Sequence, residues 1–94
     1  MCVPMSRTEE LREMIREIDQ QIIEQVATRM EITDELARAK KAEGKNYWDD
    51  AKEREVIARY HELCEEVRMT EDEARKIAEA ILSISKNRQK HIVE

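Results

Sequence analysis

The chain contains few of the residues that build turns, strands and aromatic cores. Among its 94 residues there are one Gly, one Pro, one Trp, two Tyr and no Phe. A single Gly provides neither a Gly-rich phosphate loop nor the tight turns of a β-sheet. Charged residues instead make up 41% of the chain, a composition typical of long helices. We therefore predict one all-α domain spanning residues 1–94, because the chain is too short for two independent cores.

Other absences argue against several classes of protein. The net charge of −5 disfavours a surface for nucleic acid or anionic membranes. No segment approaches the roughly 20 apolar residues of a membrane-spanning helix, and the N-terminal region has no apolar signal-peptide core. Cys2 and Cys64 have neither metal nor redox spacing, so we expect two reduced thiols. These features predict a soluble, cytoplasmic protein.

A long first helix is indicated by the spacing of apolar residues. Ser6 and Glu9 fit a capping box, and apolar residues then recur at steps of three or four from Leu11 to Ala37, with no Gly until Gly44. The pattern predicts a helix over 7–43, about 55 Å long, preceded by a disordered tail over residues 1–6. A compact monomer of this size has a radius of gyration near 12 Å by the usual scaling. We therefore expect a second copy of the chain to cover part of this helix.

Two shorter helices follow. Residues 44–48 break the first helix, and Asp49 or Asp50 caps the second. Thr70 and Glu73 form another capping box, which opens a third helix ending near His91. The apolar face of the second helix is formed by Val56, Ile57, Tyr60, Leu63, Cys64 and Val67. In the third helix, inward-facing residues are predicted at Ala74, Ile77, Ile81 and Ile84.

The sequence offers no signal for metal, cofactor or covalent chemistry. His61 and His91 have no companions at metal-ligand spacing, and no Ser-His-acid or Cys-His arrangement is present. If the chain is an enzyme, we expect it to need neither a cofactor nor a nucleophile.

A few polar residues recur at helical spacing. Arg29 and Lys40 are 11 residues apart, which places them on nearly the same helix face with alpha carbons about 16 Å apart. Their long side chains can grip an anion the size of benzoate. Two further pairs, at a spacing of four, are Asp49 with Glu53 and Ser85 with Gln89. Each pair also has an ordinary explanation as a solvated helix face, a helix cap or a helix end.

Taken together, these residues resemble the substrate pocket of the all-helical chorismate mutases, over residues 7–92. The motifs that carry the resemblance are Leu11-Arg12-Glu13 with Ile18-Asp19, Ala27-x-Arg29-Met30, Ala39-Lys40, Asp49-x-x-Lys52-Glu53-Arg54 and Ser85-x-x-x-Gln89. Each motif is weak alone, but all of them occur in register on three helices of suitable length. The one departure is Lys52, where many members of the family carry Arg. Lysine keeps the charge and loses the bidentate fork.

The resemblance implies an intertwined homodimer that converts chorismate to prephenate in phenylalanine and tyrosine biosynthesis. It assigns catalytic roles to Arg29, Lys40, Glu53 and Gln89, and substrate binding to these four with Arg12, Asp49, Lys52 and Ser85. Arg12 would be supplied in trans, because 17 residues of helix separate it from Arg29 by roughly 25 Å and about 100°. Lys40 and Gln89 would face the ether oxygen of chorismate, and Glu53 would accept its ring hydroxyl.

Two other interpretations compete with this one. An isochorismate-pyruvate lyase has the same scaffold and most of the same cations, but its substrate carries the hydroxyl at a different ring carbon, against the placement implied for Glu53. A non-enzymatic helical interaction module explains the apolar periodicity. It does not explain eight pocket positions in register.

Overall fold

The computed structural model describes residues 6–94 as three helices. They are α1 (Arg7–Ala42), α2 (Asp50–Glu66) and α3 (Glu71–Val93). The predicted all-α fold is confirmed, and every helix start or end that was predicted lies within about two residues of the observed one. The prediction of a disordered tail lies outside the described residues except at Ser6, which is the N-cap of α1 rather than part of a tail.

Local side-chain contacts explain where the helices begin. Ser6 Oγ accepts a hydrogen bond from the Glu9 amide at 3.2 Å. The Asp49 carboxylate accepts from the Ala51 amide at 2.9 Å, so Asp49, rather than Asp50, caps α2. At α3, the box between Thr70 and Glu73 is complete in both directions.

The third helix holds the other two together. It packs against both α1 and α2, whereas α1 and α2 do not pack on each other. The small side chains of Ala74 and Ala78 on α3 are fully buried, and small residues allow packed helices to approach closely. A bidentate ion pair adds to the α1–α3 contact, with Arg88 Nε and Nη2 at 3.0 and 2.6 Å from the Asp34 carboxylate oxygens.

The buried face of α3 agrees with the predicted one at Ala74 and differs from it at Ile77 and Ile84. Ile77 and Ile84 are 40% and 45% exposed, so their predicted inward orientation is wrong in this single chain. The buried side chains are Ala74, Ala78, Leu82, Ser85 and Gln89. Apolar character alone does not fix the orientation of α3, because small and polar side chains occupy most of its buried face while Ile77 and Ile84 lie outside that face.

The first half of α1 has no cover within the described chain. Every residue from 7 to 25 is exposed, including a row of apolar side chains that we call the α1 stripe: Leu11, Met14, Ile15, Ile18 and Ile22. The molecule measures 66 × 28 × 16 Å with a radius of gyration of 18.0 Å, well above the roughly 12 Å of a compact monomer. Among residues 6–94, no helix combines the length and hydrophobicity needed to cross a lipid bilayer.

Candidate active site

One cavity lies where the three helices meet. Its walls contain seven of the eight predicted site residues together with five others: Arg29, Thr33, Leu36, Lys40, Trp48, Asp49, Lys52, Glu53, Val56, Leu82, Ser85 and Gln89. The eighth, Arg12, lies in the exposed first half of α1 and does not line it. Residues distant in sequence thus converge on one site of mixed apolar and charged character.

Lys40 and Gln89 form the polar centre of this cavity. Lys40 Nζ donates to the Gln89 side-chain carbonyl at 2.9 Å and to the Tyr47 backbone carbonyl at 3.1 Å. An ammonium has three N–H groups, so one remains for a ligand. Because the Gln89 oxygen accepts from Lys40, the amide NH₂ is left as a second donor.

The environment of Lys40 lowers the pKa of its ammonium group. Partial burial lowers the pKa of the Lys40 ammonium from its ordinary value, and the nearby Asp49 carboxylate opposes that shift. Burial disfavours the charged form of any amine. An anion bound beside Lys40 would restore some of the lost stabilisation, so the site favours a negatively charged or electron-rich partner.

Arg29 is held by a short chain of contacts across the α1–α3 interface. Its Nη1 donates to Ser85 Oγ at 2.8 Å, and Ser85 Oγ lies 3.5 Å from Met30 Sδ. The hydroxyl can accept from Arg29 while donating weakly to the sulfur. Ser85 therefore orients the guanidinium, whose other N–H groups can bind a carboxylate in a fork.

The start of α2 provides a second polar wall. Asp49 is committed to capping α2, which leaves its charge near Lys40. Glu53, one helical turn later and half-buried, receives a hydrogen bond of 3.4 Å from Trp48 Nε1 to its Oε2. An ionised carboxylate accepts hydrogen bonds and cannot donate them, which suits it to a hydroxyl on a ligand.

Lys52 lines the cavity but its ammonium is turned elsewhere. Lys52 Nζ is 3.3 Å from Glu55 Oε2, and its side chain is 72% exposed. To reach a ligand, this flexible side chain must leave an ion pair on the surface, and such pairs are weak.

Sequence reasoning missed several parts of this site. Thr33, Leu36, Val56 and Leu82 form its apolar wall, and their positions in ordinary helical periodicity gave no signal of this role. Trp48 did carry a signal, because it is the single Trp of the chain and stands next to Asp49.

The chemistry of the site is electrostatic. Arg29 and Lys40 place two cations at the cavity in a chain whose net charge is −5, and Lys52 lines its wall with its ammonium paired to Glu55. Within residues 6–94, no group of three or more His, Cys, Asp or Glu is placed to hold a metal ion. Fixed donors around an apolar cavity suit an organic anion that reacts by redistributing charge.

Comparison with known families agrees with this geometry. The model of the family described as chorismate mutase type II matches residues 11–90. The chain therefore belongs to the type II chorismate mutase family. No curated protein and no solved structure gives a significant match.

Proposed function

We propose that this protein converts chorismate to prephenate, in the cytoplasm, as a step in phenylalanine and tyrosine biosynthesis. The observation that carries the proposal is the hydrogen bond of 2.9 Å between Lys40 and Gln89. It leaves one charged and one neutral donor side by side in the cavity. Family membership supports the same substrate.

The reaction is a rearrangement within one molecule, in which a C–O bond breaks while a C–C bond forms. No proton transfer or nucleophile is required. Catalysis comes from holding the compact conformer and from stabilising the negative charge that grows on the ether oxygen. The Lys40 ammonium and the Gln89 amide donate to that oxygen, and their contribution grows as the bond breaks.

The remaining residues bind and orient the substrate. Arg29 and Arg12 of a partner copy hold the two carboxylates, with Lys52 and Ser85 assisting at the ring carboxylate. Glu53 accepts the ring hydroxyl. Lys40 and the Asp49 backbone complete that subsite.

A homodimer is part of the proposal, because Arg12 does not reach the cavity of its own chain. If α1 pairs antiparallel with a second α1 so that Arg12 lies opposite Arg29, the two-fold axis crosses the helix pair at the level of Gln20 and Gln21. Ile18 and Ile22 of the α1 stripe then face each other across that axis. A groove lined by Ile22, Val26, Arg29 and Ile81 continues from the cavity and offers further apolar surface.

The dimer can be tested by placing a charge at its axis. Ile22→Glu places a carboxylate against Ile18 of the other copy on both sides of the axis and buries the charge in an apolar contact, so we expect monomers in sedimentation velocity and a loss of activity. Gln20→Glu changes charge in the same turn on the opposite face and should leave the dimer intact. A dimeric, active Ile22→Glu protein would contradict the register.

Turnover is tested directly with purified protein. We expect loss of chorismate absorbance and formation of prephenate, identified by mass and by acid conversion to phenylpyruvate. Isochorismate, run in parallel, should not yield pyruvate. Release of pyruvate from isochorismate without prephenate from chorismate would indicate the lyase. Inertness toward both substrates would refute the proposal.

A further inference from the structure

Trp48 makes contacts to two helices from the loop that joins α1 to α2. It is half-buried and lines the cavity. Its indole Nε1 donates to Glu53 Oε2 at 3.4 Å, and Lys86 Nζ of α3 lies over its ring, 5.3 Å from the centroid. The single Trp of the chain thus links a site residue on α2 to a cation on α3.

The hydrogen bond restricts how the Glu53 carboxylate can turn. An indole N–H is a donor without acceptor capacity, and here it engages one of the two carboxylate oxygens of Glu53. No side-chain hydrogen bond to Glu53 Oε1 occurs within residues 6–94. With Oε2 engaged by Trp48, Oε1 is the oxygen left for a ligand hydroxyl.

Lys86 explains how the ring itself is held. A cation within about 6 Å of a Trp centroid is attracted to the ring face. Lys86 follows Ser85 on α3 but does not line the cavity. It therefore acts on the indole and leaves the ligand to Ser85 and Gln89.

We infer that Trp48 is a positioning residue that orients the Glu53 carboxylate toward the ring hydroxyl of the substrate, and that Lys86 holds the Trp48 ring in place. The inference rests on the proposed function, because it takes the hydroxyl to be that of chorismate. It makes Trp48 a determinant of hydroxyl recognition, acting through Glu53 rather than on the breaking bond.

Trp48→Phe separates the donor from the ring, since it keeps an aromatic wall and a partner for Lys86 but removes the N–H. We expect kcat/KM for chorismate to fall about tenfold, mainly through a higher KM. The lost hydrogen bond has a charged acceptor, Glu53, and the role proposed for Glu53 is to bind the substrate. In a Glu53→Ala background the same change should alter kcat/KM by less than about twofold. With the chorismate analogue that has hydrogen in place of the ring hydroxyl, Trp48→Phe should likewise have little effect.

Lys86 is tested with a matched control. Lys86→Gln should raise the KM in the same direction as Trp48→Phe, though less, whereas Lys90→Gln, one turn further along α3, should not. Far-UV circular dichroism checks that each variant retains its helices. Equal losses from Trp48→Phe with and without Glu53, or no loss at all, would overturn the inference.

Trp48 fluorescence gives a readout that does not depend on turnover. Glu53→Ala should shift the emission maximum of Trp48, and Glu62→Ala, farther along α2, should not. An unshifted emission in Glu53→Ala overturns the assigned contact. A chain that leaves chorismate unchanged refutes the proposed function, and the emission comparison still decides whether Trp48 holds Glu53.

Discussion

Lys40 and Gln89 lie 49 residues apart in sequence and are joined by a hydrogen bond of 2.9 Å. The bond fixes the amide orientation of Gln89, which is 4% exposed, because an ammonium can only donate. Both side chains are therefore oriented before a substrate binds. Preorganised donors of this kind need little rearrangement during the reaction.

Removal of the Lys40 ammonium should reduce the chemical step. For Lys40→Ala we expect kcat to fall about 100-fold or more, in the range seen when one donor to a developing negative charge is lost. Lys41→Ala, next to it on an exposed position, should retain kcat. A change confined to KM would instead assign Lys40 to substrate binding.

The lowered pKa of Lys40 predicts the alkaline limb of the pH profile. Activity requires the charged form, so kcat/KM should decline as the pH rises through the Lys40 pKa, starting below the pH at which an ordinary lysine titrates. In the kcat profile the limb should lie at higher pH, because a bound dianion favours the ammonium. Lys40→Arg should remove this alkaline decline in activity. If the decline persists in Lys40→Arg, it is caused by the titration of another group.

Gln89→Glu should make the enzyme depend on acid. The neutral amide donates at all pH values near neutrality, whereas a carboxyl group donates only when protonated. We expect activity that is highest at low pH and falls as the pH rises. A profile that matches the unaltered protein would show that Gln89 does not face the ether oxygen.

Mixed dimers test whether Arg12 acts in trans. Arg12→Ala and Gln89→Ala proteins should each be nearly inactive. Unfolding and refolding them together should pair half of the chains as heterodimers, each with one doubly altered and one intact site. About a quarter of native activity should then return. If heterodimers form without activity, Arg12 acts within its own chain.

Lys52→Arg should strengthen substrate binding. Lys52 now pairs with Glu55 at the surface, whereas an arginine side chain offers a planar fork for a carboxylate. We expect KM for chorismate to fall roughly threefold or more with little change in kcat. Glu55→Gln should act in the same direction by releasing Lys52. An unchanged KM in both variants would place this cation outside the substrate site.

The sequence predicted the helices well and the packing less well. The caps at Ser6, Asp49 and Thr70 are local signals, so helix starts could be placed from residue type alone. The orientation of α3 could be predicted only in part: Ala74 is buried as predicted, but Ile77 and Ile84 are exposed and the buried Ala78 carries too little apolar character to reveal the face.

For the candidate site, the residues could be predicted from the sequence but their side-chain contacts could not. Resemblance to a family named eight residues, and the fold brings seven of them to one cavity. The turn of Lys52 toward Glu55 and the contacts of Trp48 depend on side-chain geometry, which no spacing in the sequence encodes.

The uncovered first half of α1 would tie the shape of this protein to its concentration if a second copy covers it. Most helical stability in proteins comes from packing of an apolar face, and residues 7–25 have no such packing within the described chain. If a second copy supplies that packing, ordering this segment and pairing the chains are one event, whose rate rises with the square of the chain concentration. Dilution would then disorder the segment that carries Arg12 as it separates the subunits, and specific activity would fall with the same midpoint as helicity.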